Sequence, residues 1–442
     1  MGPVVDPVES DETLPQRAAV VIVGGGIVGT SAALFLARKG LSVALCEKGR
    51  VAGEQSSRNW GWVRKMGRDP RELPLAIEAL RLWEGMDALV EGETGFRQAG
   101  ILYACETDEE LERRAAWLEH ARPYQLDTRL LGREELADLL PGMTRLPRGA
   151  LYTRSDGRAE PQKAAPAIAN AARRLGATVL TGCAVRGVET AGGRVAGVVT
   201  ERGRIACDSV VLAGGAWSRL FCGNLGLRLP QLKVRSSAMR TAPLEGGPET
   251  ALLMGDFAFR KRLDGGYNIA NGVTTIAEIV PDSFRFFLEF LPALRMQWKD
   301  LRLRVGGRFL EEWRLPRRWA LDAPSPFEEV RVLDPEPATA LNDKALASLA
   351  GVFPAFGRAR VVQHWAGLID VTPDAVPVIS PVESVPGFFV ATGFSGHGFG
   401  IGPGAGRLVA DLVTGGDPIV DPTPFRFSRF SDGSRPRPIA GV

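Results

Sequence analysis

The sequence lacks several features that would assign a protein to a specialised class. Within its 442 residues, no uninterrupted apolar run reaches the ~18 residues of a membrane-spanning helix. The formal net charge is only +3 and no block of like charges occurs, so composition does not predict nucleic-acid binding. Because 45% of the residues are hydrophobic, the chain can bury a large core, which is typical of a soluble globular protein with two or three domains.

Cysteine and histidine are scarce, and neither forms a recognisable site. The five cysteines make no CxxC pair, which favours a reducing compartment and predicts a cytoplasmic protein. The three histidines lie far apart without HExxH or CxxC companions, so we expect no metal site. A GxSxG motif for acyl chemistry is also absent. The N-terminus has neither the basic start nor the apolar core of a secretion signal, and we expect a disordered tail over residues 1–17.

The order of strand, glycine-turn and helix patterns predicts an α/β protein with two domains. We expect a Rossmann-like, discontinuous nucleotide-binding domain made of residues 18–93, 149–228 and 360–442. Residues 94–148 and 229–359 carry alternating runs typical of strands. They predict an inserted α+β substrate-binding domain with a mainly antiparallel sheet.

A dinucleotide-binding motif opens the first segment. Residues 24–29, with the sequence GGGIVG, satisfy the GxGxxG pattern between a predicted strand and a predicted helix. The first glycine allows the tight turn, Gly26 lets the backbone approach pyrophosphate, and Gly29 permits close packing of helix on strand. Glu47, eighteen residues beyond Gly29, is placed to accept hydrogen bonds from ribose hydroxyls. Since an acidic residue disfavours a ribose 2′-phosphate, the motif predicts FAD or NAD rather than NADP.

A second polar turn distinguishes between these two cofactors. Gln55, Ser56, Ser57 and Arg58 follow the second predicted strand closely. They can present an amide, hydroxyls and backbone donors to a larger part of a cofactor than the tight turn of an NAD site requires. The turn therefore favours FAD, with a solvated surface turn as the alternative.

Taken together, the motifs resemble the FAD-dependent amino acid and amine oxidoreductases. That family includes D-amino acid oxidase and dehydrogenase, glycine oxidase, sarcosine oxidase and bacterial L-amino acid deaminase. The resemblance is carried by residues 24–29, the pair Glu47-Lys48, the Ser56-Ser57-Arg58 turn, VVLAGGAWS at 210–218 and ATGFSGHGFGIGPGAGRLVADLVTG at 391–415. It covers the whole predicted cofactor domain and extends to the inserted domain only in outline.

The resemblance implies a set of cofactor contacts. It gives Val185 a backbone contact to adenine, places Trp217 near the cofactor or in the core, and has the glycine-rich residues 393–400 wrap the flavin. Neither the cysteine nor the histidine that attaches flavin covalently in some members is present, so FAD is expected to bind non-covalently. The residues expected to bind FAD are Gly24, Gly26, Ile27, Gly29, Glu47, Lys48, Gln55, Ser56, Ser57, Arg58, Val185, Gly214, Trp217, Gly393, Gly396, Gly398, Phe399 and Gly400.

Candidates for substrate binding lie mainly in the inserted domain. Gly400 stands where sarcosine oxidases carry a lysine, so a substrate carboxylate must be held by another residue. Arg260 on a predicted strand can fork onto a carboxylate and Tyr267 can share that anion, whereas Arg262 is expected to belong to a solvated hairpin. His397 either reaches the flavin ring or is a loop histidine bonded to backbone. We therefore expect Arg260, Tyr267 and His397 to form the catalytic set.

The expected activity is oxidative deamination of an amino acid to a 2-oxo acid and ammonia, by hydride transfer from Cα to flavin N5. Oxygen or a quinone would then reoxidise the flavin. Two alternatives stay open: oxidation of an N-methyl or cyclic secondary amino acid, such as sarcosine or a proline derivative, and a flavin-binding subunit of a larger dehydrogenase complex. The sequence predicts neither the stereochemistry of the substrate nor the oligomeric state.

Residues 281–308 combine aromatic side chains, among them Phe284 and Phe286, with several arginines. Such a segment could cover the active site, or lie peripherally on the inner face of an anionic membrane. The third interpretation is a helix packed on the inserted sheet with a solvated basic face. We expect Pro292 to break the apolar run after Leu291.

Overall fold

The computed structural model describes residues 1–439, and its strands form two large and two small sheets. The strands are β1 (Val20–Val23), β2 (Val43–Cys46), β3 (Trp62–Val63), β4 (Arg97–Gln98), β5 (Ile101–Cys105), β6 (Thr128–Leu131), β7 (Gly149–Thr153), β8 (Gly157–Arg158), β9 (Thr178–Leu180), β10 (Val185–Ala191), β11 (Arg194–Thr200), β12 (Gly203–Ala206), β13 (Ser209–Leu212), β14 (Leu232–Thr241), β15 (Ala251–Met254), β16 (Phe257–Lys261), β17 (Tyr267–Asn271), β18 (Thr275–Glu278), β19 (Leu301–Arg304), β20 (Val361–Val371), β21 (Val378–Pro381) and β22 (Phe388–Thr392).

Helices cover one face of the first sheet, the small sheet of β10, β11 and β12 lies on its other face, and helices pack on both faces of the second sheet. They are α1 (Ile27–Arg38), α2 (Gln55–Arg58), α3 (Leu73–Glu84), α4 (Met86–Leu89), α5 (Asp108–Ala116), α6 (Leu118–Ala121), α7 (Arg133–Leu139), α8 (Pro161–Arg174), α9 (Ser218–Asn224), α10 (Pro281–Arg285), α11 (Phe287–Met296), α12 (Arg308–Arg314), α13 (Pro326–Glu329), α14 (Thr339–Val352) and α15 (Gly398–Thr414).

The first large sheet is the nucleotide-binding sheet. Its six described strands have the order β21-β22-β13-β1-β2-β9, and β1 pairs in parallel with β13 on one side and β2 on the other. Both β1 and β2 consist entirely of buried apolar residues, as parallel strands covered on both faces require. The helix α1, which returns the chain from β1 to β2, is followed by Gly40 with a φ of +80°. That left-handed glycine follows the end of the helix, a position that glycine favours.

The second large sheet has the order β19-β18-β14-β17-β16-β15-β5-β7-β6, with β20 paired along β14. All its pairings are antiparallel except β5 with β15 and β18 with β19. The predicted α/β fold class, with a mainly antiparallel second sheet, is therefore confirmed. The structure places two strands differently from the sequence prediction: β7 and β20, both expected in the nucleotide-binding domain, pair in this second sheet.

The N-terminal segment, expected as a disordered tail, packs on the nucleotide-binding domain instead. The backbone N–H of Asp6 donates to the carbonyl of Gln162 at 3.0 Å, and that of Asp11 donates to the carbonyl of Val179 at 2.8 Å. The Asp11 carboxylate also pairs with Arg173 of α8 at 2.9 Å. Glu9 and Asp11 thus pair with Arg173 near the end of α8, and Asp6 pairs with Lys163 near its start.

The segment around α10, α11 and α12 differs in two respects from the prediction. Pro292 does not end the helix but lies inside α11. Phe284 is 69% exposed, whereas Phe286 is buried, with the guanidinium groups of Arg219 and Arg228 at 5.2 and 5.3 Å from its ring centroid. Among residues 1–439, no helix has the length and apolarity needed to cross a membrane.

Candidate functional site

A cavity of about 410 Å³ lies where the carboxyl ends of β1, β2 and β13 face the second large sheet. The loops that follow these three strands line one wall, and residues 236–238 and 271–275 of the second sheet line the other. Because β1 leads to β2 on one side and neighbours β13 on the other, this edge is the topological switch point of the sheet. Ligands of open α/β sheets bind at such positions.

The glycine turn after β1 brings the backbone to the cavity. Gly24 has a φ of +110°, and a Cβ atom on it would lie 2.5 Å from the carbonyl oxygen of Ala213. A Cβ atom on Gly29 would lie 2.0 Å from the carbonyl oxygen of Gly24. Gly29 does not line the cavity. Gly29 allows α1 to pack closely against the turn, while Gly24 and Gly26 form the part of the cavity wall that a ligand would contact.

Glu47 follows β2 and is held by backbone donors. Its Oε2 accepts from the N–H of Gly25 and its Oε1 from the N–H of Gly49, both at 2.7 Å. Burial raises the pKa of this carboxyl group, and the two backbone donors oppose that effect. Each carboxylate oxygen retains acceptor capacity towards the cavity, as ribose hydroxyls require.

The second polar turn forms α2 and is tied to the first. Ser56 Oγ accepts from the backbone N–H of Ile27 at 2.9 Å, which joins the two turns. Arg58 is buried and donates to Asp334 Oδ1 and to the carbonyl of Ala366, both at 2.8 Å. Gln55, Ser56 and Arg58 line the cavity, whereas Ser57 does not. The arginine therefore holds the cavity wall together through bonds within the protein.

Lys48 connects this region to a distant loop. Its Nζ donates to the carbonyls of Val330 and Arg331 at 2.8 and 2.9 Å and to Glu54 Oε1 at 2.8 Å. Arg331 in turn donates to the carbonyl of Lys48 at 3.0 Å. We call residues 330–331 the strap. Trp217, whose indole N–H donates to Glu54 Oε1 at 3.0 Å, lies beneath Lys48 and lines the cavity.

The other end of the cavity is formed by the glycine-rich segment that leads into α15. His397 is the N-cap of this helix, and Gly398, Phe399 and Gly400 line the cavity with it. A Cβ atom on Gly400 would lie 3.1 Å from the carbonyl oxygen of Trp62. The helix N-terminus directs its partial positive charge at this end of the cavity, where it can stabilise negative charge on a ligand.

Asp370 organises the glycine-rich segment and was not identified from the sequence. Its Oδ2 accepts from the backbone N–H of Gly393 at 2.7 Å, from Thr392 Oγ1 at 3.1 Å and from Gln231 Nε2 at 3.0 Å. Burial raises its pKa to about 6, and these hydrogen bonds oppose the rise. An aspartate directly after the apolar residues 365–369 was the available sequence signal.

Two arginines face the cavity near His397, and they too were missed as primary candidates. Arg64 and Arg68 both line the cavity, and Arg68 is buried. Burial and the charge of Arg64 lower the pKa of Arg68 to about 9, so it stays charged at neutral pH. Its Nη1 has no hydrogen-bond partner and lies 3.9 Å from Glu72 Oε2. Among residues 1–439, no carboxylate lies within 4.0 Å of the Arg64 guanidinium.

Aromatic side chains surround these arginines. Trp60, Trp62 and Tyr103 line the cavity, with ring centroids 5.3 Å apart for the two tryptophans and 6.2 Å apart for Trp62 and Tyr103. The guanidinium carbon of Arg64 lies 5.5 Å from the centroid of Tyr103. This end of the cavity thus combines positive charge with an apolar wall.

The structure places Arg260 and Tyr267 away from the cavity, which corrects their predicted role. Arg260 has a fully buried side chain and binds Glu160 through two hydrogen bonds of 2.8 and 3.0 Å. Tyr267 is fully buried and its hydroxyl donates to the carbonyl of Pro248 at 3.1 Å. Neither side chain has a free group that could hold a substrate carboxylate. Arg262 pairs with Asp264 in the hairpin turn.

Most of the residues predicted to bind the cofactor or to take part in catalysis line the same cavity. Those that line the cavity are Gly24, Gly26, Ile27, Glu47, Lys48, Gln55, Ser56, Arg58, Val185, Gly214, Trp217, Gly396, His397, Gly398, Phe399 and Gly400. Those that do not are Gly29, Ser57, Gly393, Arg260 and Tyr267. Within residues 1–439, no group of three or more His, Cys, Asp or Glu side chains is arranged to hold a metal ion.

Comparisons with known proteins agree with this geometry. Residues 19–412 match the family model described as FAD dependent oxidoreductase. The structure of L-amino acid deaminase from Proteus myxofaciens, solved in complex with anthranilate, is 35% identical, with a TM-score of 0.94 over 98% of this chain and 97% of that one. L-Amino acid deaminase from Proteus vulgaris is 33% identical, with a TM-score of 0.92 over 96% of this chain and 100% of that one. Glycine oxidase from Pseudomonas aeruginosa is 26% identical over 92% of this chain and 97% of the relative.

Proposed function

The chain belongs to the family of FAD-dependent oxidoreductases, and we propose that it oxidises the Cα–N bond of an amino acid whose carboxylate binds Arg64 and Arg68. The observation that carries this proposal is the pair of guanidinium groups in the cavity beside residues 398–400. The amino acid oxidase and deaminase activities named for the similar proteins support the same class of substrate.

The residues of the cavity fit FAD. At one end, Gly24 and Gly26 let the backbone approach a pyrophosphate, and Glu47 offers acceptors to a ribose. At the other end, the N-terminus of α15 can stabilise negative charge on a flavin ring. We propose that the cofactor is bound non-covalently, because neither Ala366 nor the turn at residues 55–58 supplies the cysteine or histidine that would attach it.

Charge balance at the substrate end supports the carboxylate site. Glu72 has its closest oxygen 3.9 Å from Arg68, and the charge of the buried Asp156 also acts on both arginines. A carboxylate bound between the two guanidinium groups would offset the repulsion between the arginines. Arg260, the initial candidate, is already neutralised by Glu160.

The residues of the cavity then orient the substrate and limit its exposure to water. The bound flavin supplies the acceptor for the hydride that leaves Cα. Arg64 and Arg68 fix the carboxylate, while Trp60, Trp62 and Tyr103 contact the rest of the substrate and restrict its orientations. Hydrolysis of the resulting imine yields a 2-oxo acid and ammonia.

A panel of amines tests the proposal directly. Under anaerobic conditions, the yellow protein should lose its flavin absorbance with one class among D-amino acids, L-amino acids, sarcosine and proline. Bleaching by a primary amino acid supports deamination, and bleaching by sarcosine or proline alone would favour a secondary amine. Bleaching by no compound of the panel would contradict the proposal.

We also propose that the surface around α10, α11 and α12 contacts an anionic membrane peripherally, on the cytoplasmic side. This membrane patch consists of the exposed side chains Phe284, Phe287, Leu288, Met296, Trp298, Val305, Leu310 and Trp313. Single exposed apolar side chains are normal on a soluble protein, but a group of this size is typical of an interaction site. The basic residues Lys299, Arg302 and Arg304 lie among these side chains and can attract anionic lipids. Membrane contact would favour a quinone as the electron acceptor over oxygen.

A further inference from the structure

We propose that Glu72 and His397 form the site that recognises the substrate amine. In this arrangement the Nε2 atom of a neutral His397 accepts a hydrogen bond from the amine N–H, and Glu72 fixes the tautomer that makes this possible. The inference rests on the proposed oxidation of an amino acid and assigns the second anchor point of the substrate.

The geometry defines the tautomer. Glu72, at the N-cap of α3, is fully buried, and its Oε2 lies 3.1 Å from Nδ1 of His397. A carboxylate can only accept a hydrogen bond, so the proton of the neutral imidazole resides on Nδ1. Nε2 therefore carries a lone pair. Because His397 lines the cavity and its side chain is 22% exposed, this lone pair is the polar group that the imidazole can offer to a ligand.

The charges around the imidazole keep it neutral. Arg64 and Arg68 face it from the loop before α3, and Glu72 faces it from the N-terminus of that helix. Burial and the charge of Arg68 lower the pKa of His397 to about 4, although Glu72 acts in the opposite direction. At neutral pH the Nε2 atom of His397 is consequently a hydrogen-bond acceptor. It can accept from the N–H of a substrate amine, and the uncharged ring does not repel positive charge on that amine.

Two anchor points define how a substrate lies in the cavity. Its carboxylate is held by Arg64 and Arg68 and its nitrogen by His397, so the remaining substituents of Cα can take few orientations. As the Cα–H bond breaks and its electron pair leaves, the nitrogen lone pair forms the C=N bond and positive charge develops on nitrogen. The hydrogen bond to His397 then strengthens, and the negative charge of Glu72 stabilises the change. A neutral tertiary amine has no N–H to donate and is excluded by this arrangement.

The tautomer can be measured without substrate. The chain has three histidines, so ¹⁵N-histidine labelling of the FAD-loaded protein gives a spectrum that His397→Gln assigns by the loss of one residue. We expect His397 at pH 7 to be protonated on Nδ1 alone. Glu72→Leu should release this restraint, whereas Glu78→Gln, on the outer face of α3, should leave it unchanged. Finding Nε2 protonated in the unmodified protein would overturn the inference.

Amine recognition is tested with two non-oxidisable carboxylates, anthranilate and benzoate, which differ by one amine group. Their binding is followed through the change in flavin absorbance. We expect anthranilate to bind about two- to tenfold more tightly than benzoate, the range of one hydrogen bond. His397→Leu should remove this preference with benzoate affinity unchanged, and His397→Gln, which places a carbonyl oxygen near the position of Nε2, should restore part of it.

The outcomes separate this inference from the proposed function. Arg68→Met should weaken both probes equally, because it removes the carboxylate contact only. An anthranilate preference that survives His397→Leu would refute the amine site and leave the carboxylate site intact. If the tautomer and the preference are as expected but no amino acid is oxidised, the proposed function fails and the binding site stands. A protein that binds neither probe would contradict both the carboxylate site and the amine site.

Discussion

The guanidinium group of Arg260 and the carboxylate of Glu160 are joined by two hydrogen bonds, of 2.8 and 3.0 Å, although the residues are 100 positions apart in the chain. Glu160 also accepts from the backbone N–H of Leu263 at 2.9 Å. The pair links the start of α8 to the hairpin of β16 and β17. It is thus a connection between the two large parts of the fold.

Removing one member of this pair should destabilise the protein. Arg260→Met leaves the buried Glu160 without its partner, and we expect the free energy of unfolding to fall by about 3 to 5 kcal/mol. The substrate constant of the folded protein should change little. Urea denaturation and steady-state kinetics measure both, and Arg262→Met, which disrupts a half-exposed pair, should cost at most about 1 kcal/mol. A raised substrate constant at unchanged stability would return the carboxylate to Arg260.

Arg68→Met should weaken substrate binding with FAD retained. A charge-assisted hydrogen bond contributes about 1.5 to 3 kcal/mol, so the apparent substrate constant should rise at least tenfold. Arg64→Met should act in the same direction. Arg114→Met is the matched control, because Arg114 lies over the ring of Tyr103 but does not line the cavity. If all three variants behave alike, neither cavity arginine binds the carboxylate.

Gly29→Ala should abolish FAD binding. The added Cβ atom would lie 2.0 Å from the carbonyl oxygen of Gly24, so the turn must move and the pyrophosphate surface is lost. Flavin absorbance per protein, measured after gel filtration, reports the loss. Gly132→Ala is the control, since nothing lies within 4 Å of the added Cβ atom and the φ of −83° suits alanine. A normal flavin content in Gly29→Ala would contradict the role of this turn.

His397 should make the stability of the protein depend on pH. Its pKa is lowered from 6.5 to about 4, so the unfolded chain takes up a proton first as the pH falls. Stability from this group is therefore complete above pH 6.5 and is lost between pH 6.5 and 4, by about 3 kcal/mol. His397→Gln should lack this dependence when the two proteins are unfolded in urea at several pH values. If the free energy of unfolding varied with pH in the same way in both proteins, His397 would not be held neutral.

The membrane patch should bind anionic vesicles in a salt-dependent manner. Attraction between basic residues and the lipid surface is screened over ~10 Å at 0.1 M ionic strength, so sedimentation with the vesicles should fall as salt is added. Replacing Leu288 and Trp313 by serine should reduce binding at every salt concentration. Tyr124→Ser, an exposed aromatic outside the patch, should not. Equal binding to neutral vesicles would exclude the electrostatic contribution.

The local motifs could be interpreted from the sequence because their partners are near in the chain. The turn at residues 24–29 and Glu47 depend on contacts within about one βαβ unit, so the order of strand, glycine turn and helix could be predicted from nearby residues. The sequence likewise predicted that Arg260 lies on a strand, and it does lie on β16. The sequence did not show that Glu160, 100 positions away, pairs with this arginine.

The substrate end of the cavity depends on contacts between distant segments. His397 and Glu72 are 325 positions apart, and His397 meets Arg68 and Glu72 only when α15 packs beside α3. No periodicity or spacing in the sequence predicts these contacts between distant segments. The N-terminal segment was misjudged for a similar reason, since its acidic residues are matched by Arg173 far along the chain.

The strap has a consequence for the lifetime of the holoprotein. Lys48 and Arg331, which both line the cavity, exchange hydrogen bonds, and Arg331 is further anchored by Glu201. If the strap covers a bound dinucleotide, these bonds must open before the dinucleotide leaves, and its departure is then a local unfolding event. The rate at which the cofactor dissociates then depends on the opening of the protein as well as on contacts with the cofactor. A variant that lacks the bonds of the strap would exchange its cofactor quickly, even if its equilibrium affinity for the cofactor were nearly unchanged.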